Sequence, residues 1–241
     1  MLLCETMRQT FPLLAHAAYG MPLGFALSWK HFQYAVNPSA LVITGRPAEI
    51  ELRVDCHGIR YQRSIVAAMS MHIEAFRDGA LLAVADTSFG CHQPAVYQSL
   101  RRGRTDAQAA IRTALTPPAA IDPRLDGRSR TRDTVLAPGA EPDNWQLRVD
   151  TNHPILFDHA PGMLILESIR QAAHASAASG APALAVAMDV AFDHYIEFDT
   201  PCWIRATALP SADGGASRSS KIEATQDQAP AFAATADLAL L

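Results

Sequence analysis

Residues 1–10, MLLCETMRQT, and residues 163–172, MLILESIRQA, follow one pattern. In each, apolar residues surround Glu-(Ser/Thr)-x-Arg-Gln: Glu5, Arg8 and Gln9 in the first copy, Glu167, Arg170 and Gln171 in the second. On a helix, positions i, i+3 and i+4 share a face. Each copy therefore places a carboxylate, a guanidinium and an amide together on a helix that is otherwise apolar. A helix this apolar is buried around most of its girth, and a buried glutamate is costly unless it is paired. The same charged trio in both halves predicts an internal duplication, each repeat built around one such helix.

The likeness continues past the helices. YGMPLGFALSWKHFQYAVNP (19–38) parallels SGAPALAVAMDVAFDHYIEFDTP (179–201). In each, a Gly-x-Pro ends the helix (Gly20 with Pro22, Gly180 with Pro182). A strand follows, a phenylalanine (Phe32, Phe192) closes it, and an x-Pro turn ends the unit. EIELRVDCH then alternates, with Ile50, Leu52, Val54 and Cys56 on one face and Glu49, Glu51, Arg53 and Asp55 on the other. SIVAAMSMHIEAF reads as a longer strand, Asp78-Gly79 as a hairpin turn, and LLAVADTSF as the returning strand. The second half repeats this with CWIRATAL, KIEAT and AFAATADLAL, and WQLRVD (145–150) supplies a strand ahead of its helix. The first half, which opens inside its helix, has no room for one.

The sequence thus reads as an α+β protein with two repeats, at 1–99 and 144–241. They are joined by an Arg/Pro-rich segment, 100–143, read as a solvated linker. With 241 residues, 49% of them hydrophobic, each repeat can bury a core. A net charge of −4 argues against a nucleic-acid or anionic-membrane binder. Four scattered cysteines without CxxC pairing fit reduced thiols of a cytoplasmic protein and no metal site. No signal peptide and no apolar run of bilayer-spanning length is present, so no membrane role is expected.

Most of the chemistry lies in NHPILFDHAPGMLILESIRQAAH (152–174). Pro161 suits a helix entrance. Gly162 lets a ligand approach the first-turn N–H groups, which favour a developing oxyanion. Glu167 lies farther along that helix, and pairing with Arg170 keeps it ionised. The segment resembles the active-site stretch of hotdog-fold hydroxyacyl-carrier-protein dehydratases, in which a loop His precedes a Pro-Gly helix start and a carboxylate. On that spacing His153 is the candidate histidine; by adjacency to Pro161-Gly162 it is His159.

Arg-Gln after the Glu is not the dehydratase pattern. The doubled trio, SRTRDTVLAPGAEPDNWQLRVDTNHPILFDH and CHQPAVYQSLRRGR together resemble the AfsA-type family, the A-factor (γ-butyrolactone) and related autoregulator synthases. The likeness covers essentially the whole chain and implies two tandem hotdog domains, each a long helix wrapped by an antiparallel sheet, the first lacking its leading strand. It also implies an acyltransferase that condenses a 3-oxoacyl group, carried on acyl carrier protein, with the hydroxyl of dihydroxyacetone phosphate, on the way to a butenolide. No cofactor or metal is implied. On this resemblance Glu5, Glu167 and Arg170 are catalytic candidates, with His153 and His159. Glu167 would act as base or orient the chain, and Arg170 would hold a phosphate or enolate oxygen. Gly162, Arg8 and Asp158 are the candidate substrate contacts, and the long strands are expected to line the acyl tunnel. Two rival readings are a hotdog dehydratase or thioesterase, and a non-catalytic acyl- or partner-binding protein, because the first repeat is incomplete. An exposed sheet edge there would favour homo-oligomers.

Overall fold

The computed structural model describes residues 1–42, 45, 47–152, 157–177, 183–210 and 217–240. The chain divides into two compact units, Met1–Gly103 and Arg104–Leu241.

The first unit begins with α1 (Leu2–Ala17) and continues with β1 (Ala26–Val36), β2 (Ile50–Gln62), β3 (Ile65–Arg77), β4 (Ala80–His92) and α2 (Pro94–Leu100). Its strands are antiparallel, in the order β2-β3-β4-β1. One side of the sheet carries the buried row Met69, Met71, Ile73 and Ala75 of β3, with Phe32 and Tyr34 of β1. α1 packs onto that row. Phe11 stacks on Phe89 with ring centroids 5.0 Å apart and meets the edge of Trp29 at 5.5 Å. Phe32 sits inside β1 rather than at its end.

Asp78-Gly79 forms the expected tight turn, with φ of 48° and 83°. Two further two-residue turns carry no glycine: Arg63-Ser64 between β2 and β3, and Asp227-Gln228 in the second unit, all four residues at positive φ. L-residues pay for this conformation. The long ladders on either side fix the register and hold the turns there. From Leu52 on, β2 alternates as the sequence predicts, with Leu52, Val54 and Cys56 half-buried between exposed Glu51, Arg53 and Asp55; Ile50, expected on the same face, is exposed.

The second unit holds α3 (Ala107–Thr113), β5 (Leu136–Pro138), β6 (Asn144–Leu147), α4 (Gly162–Ala177), β7 (Ala183–Phe192), β8 (Cys202–Ala208), β9 (Ser217–Gln226) and β10 (Ala229–Leu240). Its antiparallel order is β7-β10-β9-β8-β6-β5. α4 lies across β5, β8, β9 and β10, with Ile165, Leu166, Ile169, Ala172 and Ala173 turned into the core. Each unit is thus a helix held against an antiparallel sheet, the α+β arrangement anticipated for a hotdog.

The Arg/Pro-rich segment is not a solvated linker. From Arg104 onward it belongs to the second unit. Leu115 N–H donates to the Phe198 carbonyl and Ile121 N–H to that of Leu136, at 2.9 and 3.0 Å. Asp126 and Leu136 are fully buried. Gly180, Pro182 and the 211–216 loop lie outside the described residues.

Candidate functional site

The two copies of the trio form the same local network in different surroundings. In α1, Arg8 grips Glu5 with both fork positions, Nε to Oε2 and Nη2 to Oε1, each at 2.7 Å. Gln9 Nε2 adds a donor to Oε1 at 3.0 Å. The Glu5 and Arg8 side chains keep 30% and 36% of their surface exposed. The Arg8 hydrogen bonds hold the Glu5 carboxyl below its ordinary value, with burial acting the other way.

In α4 the carboxylate is sealed in. Arg170 donates from Nη2 to Glu167 Oε1 at 2.8 Å and from Nε to Oε2 at 3.1 Å. Gln171 Nε2 reaches Oε1 at 2.5 Å. A further donor comes from outside the helix: Arg128 Nε lies 2.9 Å from Oε1. Glu167 and Arg170 are each only 12% exposed. Burial alone would push the Glu167 carboxyl up; hydrogen bonds and charge from Arg170, then Arg128 and Gln171, bring it below its ordinary value. It is a locked anion.

Arg128 arrives on the loop Asp126-Gly127-Arg128, which crosses α4. Arg128 N–H donates to Asp126 Oδ1, and Arg170 Nη2 donates to the Asp126 carbonyl at 3.1 Å. Gly127, at φ +71°, sits so close to the helix that a Cβ there would lie 2.9 Å from His174 Nδ1. Burial, followed by the charge of Arg170, pushes His174 down to about 4, so the ring is neutral. Burial also raises the Asp126 carboxyl. Gln171, fully buried, ties down the far end of the same loop: Nε2 donates to the Asp133 carbonyl and Oε1 accepts from Val135 N–H, both at 2.8 Å. Arg128 and Asp126 escaped the sequence reading; the only signal was the Asp-Gly dipeptide at 126–127, a turn mark inside a segment read as linker.

Beside the start of α4 opens a cavity of about 580 Å³. Ile111, Val135, Val149, Phe157, Leu164 and Phe198 form its apolar wall, and Arg132, Arg148, Thr134 and Asp150 its polar one. None of these lies on β7–β10, so the cavity wall is built from the former linker, α4's first turn and neighbouring loops, not from long strands. Neither Glu167 and Arg170 nor Asp158, His159, Gly162 and Met163 line it; Pro161 and Leu164, on either side of Gly162 and Met163, do. Arg170 turns Nε and Nη2 toward Glu167, and Nη2 also toward the Asp126 carbonyl.

Pro161 opens α4 and lines the cavity. Its carbonyl accepts from Leu164 and Ile165 N–H, at 2.9 and 3.3 Å. The N–H groups of Gly162 and Met163 precede the first intrahelical bond. Two residues ahead, His159 Nδ1 lies 2.6 Å from Asp158 Oδ1, with side chains 23% and 12% exposed. The carboxylate can only accept, which places a proton on Nδ1. The ring also meets the edge of Tyr195 at 4.7 Å. His153 lies outside the described residues. Among those described, no three His, Cys, Asp or Glu side chains converge as metal ligands, and no helix is long and apolar enough to cross a membrane. All four cysteines are free thiols, with Cys91 and Cys202 pushed up to about 11 and about 12 by burial.

The profile of the family described as AfsA, A-factor biosynthesis hotdog domain, matches residues 1–93 and 109–240. The chain belongs to this family. A relative from Streptomyces virginiae, named 2-oxo-3-(phosphooxy)propyl 3-oxoalkanoate synthase, is 38% identical over 237 residues, spanning 96% of this chain and 78% of its own. A synthase of the same name from Streptomyces coelicolor is 35% identical and covers 89% of this chain and 68% of its own. Among solved structures, a MaoC-like dehydratase superposes with a TM-score of 0.55 at 12% identity, covering 97% of this chain and 82% of that one. The 12:0-ACP thioesterase from Umbellularia californica gives 0.53 at 8% identity, over 90% and 74%. At such identities these two speak for the hotdog fold alone. For an A-factor family member, both copies of the charged trio are then a consequence of a duplicated hotdog.

Proposed function

We propose that this chain is an acyltransferase that joins a 3-oxoacyl group, delivered as a thioester on acyl carrier protein, to the hydroxyl of dihydroxyacetone phosphate. The product is the phosphorylated 3-oxoalkanoate ester named in its relatives. What carries the reading is the similarity to those synthases over 96% of the chain. The cavity supports it, since about 300–1,000 Å³ is usual for a small-molecule site.

The roles follow from chemistry. His159, oriented by Asp158, takes the acceptor's hydroxyl proton at Nε2 as the oxygen attacks the thioester carbonyl. The Gly162 and Met163 N–H groups receive the oxyanion at the positive end of α4. The tetrahedral intermediate collapses, the C–S bond breaks, and the leaving thiolate takes back the proton from His159. The apolar wall receives the acyl chain. The ester's C2, acidified by two flanking carbonyls, is then set for ring closure onto the acceptor's ketone, and loss of the resulting hydroxyl as water gives the butenolide skeleton of an autoregulator. Glu167 is a positioning residue in this scheme. An anion already holding three donors is a weak base, but through Gln171 and Arg128 it fixes the loop that supplies Thr134 and Val135 to the cavity. In the first unit Glu5, Arg8 and Gln9 bond to one another within α1. Such an enzyme works in the cytoplasm, where acyl carrier protein is available.

The test is condensation kinetics with 3-oxoacyl carrier protein and dihydroxyacetone phosphate. His159→Gln should lower kcat by about 10²- to 10⁴-fold with little change in either KM. Asp158→Asn should lower kcat and distort the acid limb of the pH profile. A His159→Gln enzyme with wild-type kcat would remove His159 from the mechanism.

A further inference from the structure

The cavity holds a cation that the mechanism above does not use. Arg148 lines it, and its guanidinium is held by two backbone carbonyls: Nε donates to Pro118 O at 2.7 Å and Nη1 to Thr134 O. Among the described residues Nη2 has no hydrogen-bond partner, and no carboxylate lies within ion-pair distance of this half-buried group. Carbonyls orient a guanidinium without neutralising it. A permanently charged fork fixed in this way is poised for an anion.

Two further groups share that wall. Thr134 is 1% exposed, and its hydroxyl faces the buried Asp126 carboxyl, which it helps to hold down against burial. Arg132 is 73% exposed at the cavity's rim, loosely paired with Asp133 at 3.8 Å. One carboxylate opposes them: Asp150 also lines the cavity, but its Oδ1 accepts from the backbone and side-chain nitrogens of Asn152, both at 3.0 Å. Among the residues that line the cavity, two guanidinium groups thus stand against one self-capped carboxylate.

We infer that Arg148, with Thr134 beside it and Arg132 at the rim, is the receptor for the acceptor's phosphate. The inference rests on the condensing reading and assigns to Arg148 the role that the helix position of Arg170 had suggested. An anchored Arg148 would orient the acceptor with its phosphate on the polar wall, while the acyl chain lies along the apolar wall of the same cavity. It also explains selection for a phosphorylated acceptor: unphosphorylated dihydroxyacetone would leave the cation desolvated and unpaired.

The experiment measures binding of dihydroxyacetone phosphate, inorganic phosphate and dihydroxyacetone to the full chain by calorimetry, together with KM values for both substrates. Wild type should bind the two phosphates and not dihydroxyacetone. Arg148→Ala should weaken dihydroxyacetone phosphate binding and raise its KM by about 10- to 100-fold, with the KM for the acyl thioester within about twofold. Arg148→Lys should recover part of this. Arg132→Ala, on the surface and safe for folding, should cost a few-fold and only at low salt. Unchanged phosphate binding in a folded Arg148→Ala, or equal shifts in both KM values, would overturn the subsite. Wild type that makes ester while Arg148→Ala keeps its phosphate affinity sinks the subsite and leaves the condensing reading standing. Arg148-dependent phosphate binding without ester formation does the reverse. Wild type that neither binds phosphate nor condenses overturns both.

Discussion

Removing the carboxylate from each copy of the trio should separate the two sites by several kcal/mol. Glu167→Ala leaves Arg170, 12% exposed, and Arg128, 34% exposed, facing each other with no anion between them. It also strips Gln171 of one acceptor. Breaking a buried ion pair from one side costs about 3–5 kcal/mol. Glu5→Ala removes the same three partners on paper. There, however, the side chains keep 30% and 36% of their surface in solvent, so water replaces what is lost and the cost is about 0.5–1 kcal/mol. Urea titrations read this. Trp29 reports the first unit and Trp145 and Trp203 the second, so variants retaining one class of tryptophan follow each unit alone. High salt should shrink the Glu5 effect and barely touch the Glu167 effect. Equal losses at the two positions, or a larger one at Glu5, would refute the claim that the loop over α4 makes the second copy a buried lock.

Other changes around that lock should follow its geometry. His174 is ordinarily near 6.5 and sits at about 4 when folded. As pH falls, the unfolded chain takes up that proton first, so stability should drop between pH 6.5 and about 4; His174→Gln should flatten that slope in pH-dependent melts. Glu167 is shifted down from 4.5, so its contribution is present above that value and disappears as pH falls through the folded one. Gly127→Ala must hold φ near +71° and place a methyl 2.9 Å from His174 Nδ1; a loss of at least ~1–2 kcal/mol is expected by denaturation. Gln171→Leu strands the Val135 N–H and the Asp133 carbonyl, which should cost about 1–3 kcal/mol and raise the KM of substrates bound against the Val135 wall.

What the sequence made legible was local. Glu167 and Arg170 are three residues apart, so helix geometry alone predicts their pairing. Alternation along β2 and the Asp78-Gly79 turn likewise depend on neighbours. Asp158 and His159 were legible as candidates because they adjoin Pro161-Gly162. Arg128 was not, because it meets Glu167 only after the chain has folded back across α4. The segment around it has the composition of a linker, and its attachment to the unit is partly through backbone hydrogen bonds such as Leu115 to Phe198, which leave no trace in side-chain chemistry. The glycine-free turns at Arg63-Ser64 and Asp227-Gln228 were hidden for a related reason: the paired strands impose them against local preference. The charge of Arg170 was visible in the sequence, and its bond to the Asp126 carbonyl was not.

The most direct test is mass spectrometry of the product formed by purified wild-type chain from 3-oxoacyl carrier protein and dihydroxyacetone phosphate. The account predicts the phosphorylated 3-oxoalkanoate ester with stoichiometric release of free carrier-protein thiol, and none of that ester when dihydroxyacetone replaces its phosphate. Release of free 3-oxo acid without ester, or hydration of an enoyl thioester with no condensation, would contradict it.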